Sequence, residues 1–418
     1  MRARNRMVAS ILFFLLFFLT TSAQALSPET EMLLRLLEKK GIVTRNEVNE
    51  LRREVSAAVP AMDRETIKAE IKDELKKEMA AETGPLASIQ DKVSISGAVE
   101  ADYQYKDHRD ISDKNSDGTS DLFVSTVELD VQAVVNDWTT ADVVFIAEDV
   151  WKEGGNEDAT TLFDQAYVTF QNEAASPFYA VIGKRDLPFG NFFTHTVSDT
   201  ETYNAYLING PGATLGYAMQ EPVNLDVSLT WYEGEKLISA LHAASLGWQR
   251  DTPTSYDDSD EDVQSYIARL SITPMDSLTV GLGFDSEPGY TDRNETFNAF
   301  AEFTFADFTL DAEYFDATSR EKHETDGKSY EEKALVIGLA YQATQALEVA
   351  ARYEGYDMGH DPDQDGDLGA VFALGANYNI FEDVTLMGEY RRLSYDNPAG
   401  STYEDTVNEY NLRVAVGF

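Results

Sequence analysis

The segment Tyr410-Asn-Leu-Arg-Val-Ala-Val-Gly-Phe418 sets Tyr410, Leu412, Val414, Val416 and Phe418 in strict alternation with Asn411, Arg413, Ala415 and Gly417. A period of two puts the first set on one face of a β-strand and the second set on the other. On the free edge of a soluble sheet, so apolar a face invites aggregation. In a closed transmembrane barrel the edge is paired and the apolar face meets lipid. A half-buried strand of an ordinary sheet satisfies the same nine residues, so the rest of the chain has to decide.

It decides for a barrel. The alternation recurs in Val93, Ile95, Gly97, Val99, Ala101 and Tyr103, again in Val127, Leu129, Val131 and Ala133, and in later runs such as Leu347, Val349, Ala351 and Tyr353. Period-two runs bounded by turn residues predict sixteen strands. They fall near 93–105, 121–135, 139–151, 161–171, 177–184, 212–219, 223–233 and 262–273, then 277–286, 294–305, 308–318, 331–342, 346–356, 367–380, 384–395 and 404–418. Connections after odd strands are long and acidic, as in 106–120, 186–211 and 234–261. Those after even strands are tight, as in Asn136-Asp137-Trp138, Pro274-Met275-Asp276 and Ala306-Asp307. An even number of antiparallel strands with short periplasmic turns and long outer loops is the pattern of outer-membrane barrels. Tyr103, Tyr105, Phe123, Trp138, Trp151, Phe303, Phe305 and Tyr353 gather near strand ends, where interfacial girdles belong. The predicted fold is an all-β transmembrane barrel of about 16 antiparallel strands over residues 91–418, with an N-terminal α-helical or coiled-coil segment.

Composition agrees. The chain has 418 residues, a formal net charge of −41 and no cysteine. A mean hydropathy of −0.34 excludes a bundle of transmembrane helices but not a barrel, whose strands are apolar only at alternate positions. The acidity excludes nucleic acid as a partner, because like charges repel. Without cysteine there are no disulfides and no thiolate metal sites. At the N-terminus Arg2, Arg4 and Arg6 precede the apolar run Ile11–Leu19 and an Ala23-Gln-Ala25 cleavage site. That pattern predicts a signal peptide over residues 1–25.

Residues 26–85 read as helical. Ser27-Pro28-Glu29 opens one helix and Gly41 stops it; Thr44 and Glu47 are spaced as a capping box; Ile67, Ile71, Leu75 and Met79 line a third helix ending at Gly84-Pro85. None of these stripes can bury itself alone. A periplasmic segment that self-associates into a homo-oligomer and a partly helical tether both fit.

With these features the chain resembles the porin superfamily and, more narrowly, the LbtU-type siderophore porins. The resemblance rests on the signal peptide, the preface Leu33-Leu-Arg-Leu-Leu-Glu-Lys-Lys-Gly-Ile-Val-Thr-Arg-Asn-Glu-Val-Asn-Glu-Leu51, and Gly183-Lys-Arg-Asp-Leu-Pro-Phe-Gly190 leading into Thr194-His-Thr-Val-Ser-Asp199. It implies passive uptake of small hydrophilic solutes, iron–siderophore complexes among them, with no plug and no energy-coupling box. Phe418 with Tyr410, Leu412, Val414 and Val416 resembles the signal read by the barrel-assembly machinery. The expected partners are therefore outer-membrane lipid, that machinery and the solute. An anion- or phosphate-selective porin and a barrel-anchored surface adhesion protein are the alternatives.

In such a barrel function lies on the inward face. The alternation makes Glu100, Asp102, Glu128, Asp130, Asp226, Glu302, Asp311, Glu313, Glu348 and Glu389 inward acids, and Arg185, Arg269, Arg352, Arg391 and Arg413 inward cations. A wet lumen tolerates such charges where lipid does not. The long connection 186–211 is the candidate for a loop folded into the pore, with Lys184, Arg185, His195, Asp199 and Glu201 at a constriction. The competing reading leaves it on the rim, its charges solvated. Asp113, Asn115 and Asp117, like Asp361, Asp363 and Asp365, have the alternate spacing of calcium ligands. The twelfth positions hold Val124 and Phe372 instead of an acid, so solvated loop tips are the preferred reading and no cofactor is expected. The five histidines are scattered, and no Gly-x-Ser-x-Gly or His-Glu-x-x-His motif is present, so an enzyme is not expected.

Overall fold

A computed structural model describes residues 92–107, 118–150, 152, 163–244, 246, 262–289, 292–322, 327–359, 367–396 and 405–418. The predicted signal peptide, the predicted helical preface, Trp151 and both calcium-like loops lie outside them.

Among the described residues the chain forms sixteen strands: β1 (Val93–Lys106), β2 (Thr119–Asn136), β3 (Thr139–Val150), β4 (Gln165–Phe170), β5 (Phe178–Asp186), β6 (Asn209–Met219), β7 (Asn224–Tyr232), β8 (Ser265–Met275), β9 (Leu278–Glu287), β10 (Asn294–Phe305), β11 (Phe308–Ser319), β12 (Lys333–Gln342), β13 (Leu347–Asp357), β14 (Asp367–Phe381), β15 (Val384–Asp396) and β16 (Thr406–Gly417). Two short helices, α1 (Glu201–Tyr206) and α2 (Lys236–Ala243), sit in the connections after β5 and β7. Each strand pairs with its sequence neighbours, and β1 pairs antiparallel with β16, closing the barrel. At the seam Val99 faces Val416 and Asp102 faces Arg413. Gly97 and Phe418 exchange backbone hydrogen bonds, both 3.0 Å. A Cβ on Gly97 would lie 2.7 Å from the Phe418 ring and 2.5 Å from the Glu128 carbonyl oxygen, so only glycine lets that ring lie down there.

The lipid-facing set stands out by exposure: Leu412 is 47% and Phe418 67% exposed, although both are apolar. Phe305, Phe308, Tyr341 and Phe381 ring the turn end of the wall, and Tyr105, Tyr390 and Tyr410 cluster at the loop end.

Two local expectations fail for physical reasons. The register of β1 against β2 shifts at Glu100/Ala101, leaving Ser125 as an extra residue. A bulge of one residue reverses the alternation beyond it. Phe123 is therefore buried inside, not part of an outer girdle, and Leu122 faces out. Likewise Pro274-Met275 is not turn but the end of β8: the register slips between Ile272 and Met275, where a residue without an N–H is tolerated.

Not all of the interior is wet. Inward residues of the far wall, among them Ile267, Phe315, Ala334, Tyr356, Val371, Leu393 and Val407, form one apolar cluster with Leu187, Phe189, Tyr206, Leu237, Ile238 and Leu241 from the two helical connections. Tyr206 stacks on Phe315 with ring centroids 4.3 Å apart and an interplanar angle of 4°. The polar inward face expected all round the barrel is thus interrupted by a dry core on one side.

Candidate functional site

The connection after β5, residues 187–208, runs into the barrel and is latched to the opposite wall. Its first half has no regular structure, so its backbone N–H groups need partners, and wall carboxylates supply them. Glu313 on β11 accepts from Asn191 N at 2.7 Å and Phe192 N at 2.8 Å. Glu389 on β15 accepts from Ser198 N at 3.0 Å, and Glu354 on β13 from Glu201 N at 2.9 Å. Cations and amides bind the loop's oxygens. Arg269 Nη2 donates to Asn191 Oδ1 at 2.9 Å, and Asn377 Nδ2 to the His195 carbonyl at 2.9 Å. Arg352, 3% exposed, donates to Thr194 Oγ1, Thr196 Oγ1, the Ser198 and Asp199 carbonyls, and Glu354. Glu201 forms an ion pair with Arg391. Thr200 then caps α1, its hydroxyl accepting from Tyr203 N.

His195 lies between Asp311 on β11 and Glu348 on β13, its ring nitrogens 3.5 Å from a carboxylate oxygen of each. These are ion-pair distances rather than hydrogen bonds. The Asp311 carboxylate holds the imidazole pKa above its ordinary value, outweighing the opposing effect of burial.

On its free side the loop faces β1–β3 across a cavity of about 520 Å³. Six carboxylates line it: Glu100, Asp102, Glu128, Glu148, Asp149 and Asp199. Three cations oppose them, and each is already paired. Arg413 binds Asp102 through Nε at 2.8 Å and Nη2 at 2.9 Å, and Glu100 through Nη1 at 2.7 Å. Arg391 is held by Glu201 and Glu409, and Lys152 by Asp149. Glu128, Glu148 and Asp199 have no ion pair among the described residues. Asp199 is open to the cavity, yet partial desolvation by the surrounding barrel pushes its carboxyl above its usual pKa, against the pull of Arg413, Arg352 and Arg391.

The residues singled out in the sequence thus separate. Glu100, Asp102, Glu128, Asp199, Arg391 and Arg413 line the cavity. His195, Glu201, Arg269, Asp311, Glu313 and Arg352 lie at or under the latched loop, where they hold it. Arg185, on the inward face of β5, is bound to Thr214 at 2.8 Å, and Asp130 is on β2 away from the cavity lining. Lys184 is a correction. It neighbours Arg185 on a strand, so it points the opposite way, beside outward Ile182, and donates to the Phe163 carbonyl at 3.1 Å. Glu148, Ser198 and Asn204 were missed. For Glu148 the signal was present, since it shares the inward parity of Asp142 on β3.

A closed barrel with an apolar exterior, a loop latched inside it and a charged gap beside that loop is the architecture of an outer-membrane channel. Residues 79–398 match the family of Gram-negative porins, and the chain belongs to that family. Its fold is similar to an anion-selective porin from Comamonas acidovorans, with 12% identity, a TM-score of 0.57, and 78% of this chain and 99% of that chain covered. It is also similar to the outer-membrane channel DcaP of Acinetobacter baumannii (16% identity, TM-score 0.58, 78% and 97% covered). A third is Salmonella typhi OmpF, solved with daunomycin (12%, 0.55, 78% and 97%). Comparison with curated protein sequences gives no match. The protein is a porin of the outer membrane, passing small solutes.

Proposed function

We propose that the gap between the 187–208 loop and β1–β3 is the constriction of a passive, cation-preferring channel for small hydrophilic solutes. One observation carries this: every cation lining the gap is neutralised by a carboxylate, while Glu128, Glu148 and Asp199 remain without an ion pair among the described residues. Uncompensated charge at the narrow point sets ion selectivity. The sequence resemblance to siderophore porins supports ferric siderophores as one solute class.

The test is the reversal potential of the purified protein in a planar bilayer under a salt gradient. Cation preference is expected, and it should weaken in Glu128→Gln, Glu148→Gln and Asp199→Asn. An anion-selective wild type would overturn the proposal in favour of the anion- or phosphate-selective alternative, and absence of conductance would favour a surface anchor. Concentration-dependent block by a ferric siderophore, but not by a simple sugar, would extend the reading to siderophores.

A further inference from the structure

The barrel interior holds a second inward element, which ion selection at the gap does not require. After β7 the chain forms α2, whose Leu237, Ile238 and Leu241 are fully buried in the same apolar cluster as Ala205 and Tyr206 of α1. Beyond α2 this connection reaches the far wall, where the Leu246 carbonyl accepts from Leu368 N at the start of β14 at 2.9 Å. The strap therefore runs from β7 to β14 and packs against α1 on its way.

Its anchoring is unusual. Glu235 stands at the N-cap of α2 but makes no side-chain cap. The cap comes from a distant strand instead: Glu287, buried at the end of β9, accepts from Leu237 N at 2.7 Å and Ile238 N at 3.0 Å. Tyr232 OH donates to the same carboxylate at 2.8 Å. A carboxylate receiving the free N–H groups of a first turn fixes the position of that helix end.

The geometry points to α2, pinned by Glu287, as a positioning element for the constriction. It presses on α1 from within the barrel, while Glu354 and Arg391 hold the start of α1 to the wall through Glu201. Asp199 lies two residues before α1, and Asn204 lies on it; both line the gap. A shift of α1 is therefore a shift of the gap's charge and width. This inference rests on the proposal that the gap conducts.

The experiment compares Leu241→Ala and Glu287→Ala with Leu241→Met and with His242→Ala, the last on the exposed side of α2. All are made in the full chain and checked for heat-modifiable barrel formation. A helix that merely adds stability would lower the temperature of heat modification and leave permeation alone. Positioning predicts higher single-channel conductance, more open-channel noise and weaker cation preference in Leu241→Ala and Glu287→Ala. Leu241→Met and His242→Ala should match the wild type. Wild-type conductance and reversal potential in folded Leu241→Ala would overturn the inference even if Glu287→Ala failed to assemble. If Asp199→Asn still moved the reversal potential, only the positioning role would fall; if neither variant moved it, the constriction proposal would fall too.

Discussion

Replacing Arg352 with methionine should loosen the constriction loop without opening the barrel. The side chain makes five hydrogen bonds, four of them to the loop segment 194–199 and one to Glu354. Removing one member of a buried ion pair costs roughly 3–5 kcal/mol. That figure applies here because Glu354 is fully buried. The Ser198 carbonyl keeps the Thr194 hydroxyl as a donor, and the Asp199 carbonyl belongs to an exposed residue that water reaches, so neither adds a burial cost. The expected loss is therefore roughly 3–5 kcal/mol, an upper figure if water enters the space. The loop loses four of its tethers while the wall keeps its pairing, because the backbone register of Arg352 with Gly338 and Ala373 is untouched. The Glu313 contacts to Asn191 and Phe192, the Glu389 contact to Ser198 and the Glu201–Arg391 pair remain, so the loop should stay attached at both ends and move more freely between them. The assay is single-channel recording, with heat modification as the check on folding. Conductance and open-channel noise should rise. The double variant Arg352→Met/Glu354→Gln removes the stranded charge and should return part of the way. Wild-type noise in the single variant, or greater disorder in the double one, would refute the reasoning.

Other consequences are as concrete. His195, whose pKa is raised, should clamp the loop fully below about pH 6.5 and release it as pH rises through that higher value. Channel noise should thus grow toward alkaline pH, and His195→Asn should abolish the dependence. Asp199 is an acid with a raised pKa, so its share of the cation preference should fade as pH falls, starting above the ordinary carboxylate range; reversal potentials of the wild type and Asp199→Asn should converge in acid. Gly183 has φ +140°, and a Cβ there would lie 2.3 Å from the Ala166 carbonyl oxygen. Gly183→Ala should cost about 1–3 kcal/mol and lower the heat-modification temperature. Phe418→Asp puts a charge where an apolar ring covers Gly97, and should reduce barrel assembly in cells, read as loss of the heat-modifiable band.

The wall of the molecule was legible because the lipid boundary imposes period two on every strand; β10 was predicted to the residue, and β16 within two. The depth of the 187–208 loop was suggested by its length and its mix of aromatic and charged residues. What holds it was not legible. Glu313, Arg352 and Glu389 look in sequence like any inward charge, and only the closed barrel shows that their partners are backbone groups of a distant loop. The helices were hidden for a related reason. At six and eight residues they are too short to be stable by propensity, and α2 owes its cap to Glu287 from another strand. The dry side of the lumen was missed because inward Val371, Leu393 and Val407 acquire their apolar surroundings from loops, not from neighbouring strands.

The latch also fixes an order in time. Asn191 and Glu313 are 122 residues apart in the chain, and Ser198 and Glu389 are 191 apart. Contacts so distant in sequence reward the chain only after everything between them has been placed. The loop is made early, yet it has nothing to grip until β11, β13 and β15 stand opposite it. The narrow passage can therefore take its final width only once those strands are in place, so its shape belongs to the finished wall and not to the loop's own sequence.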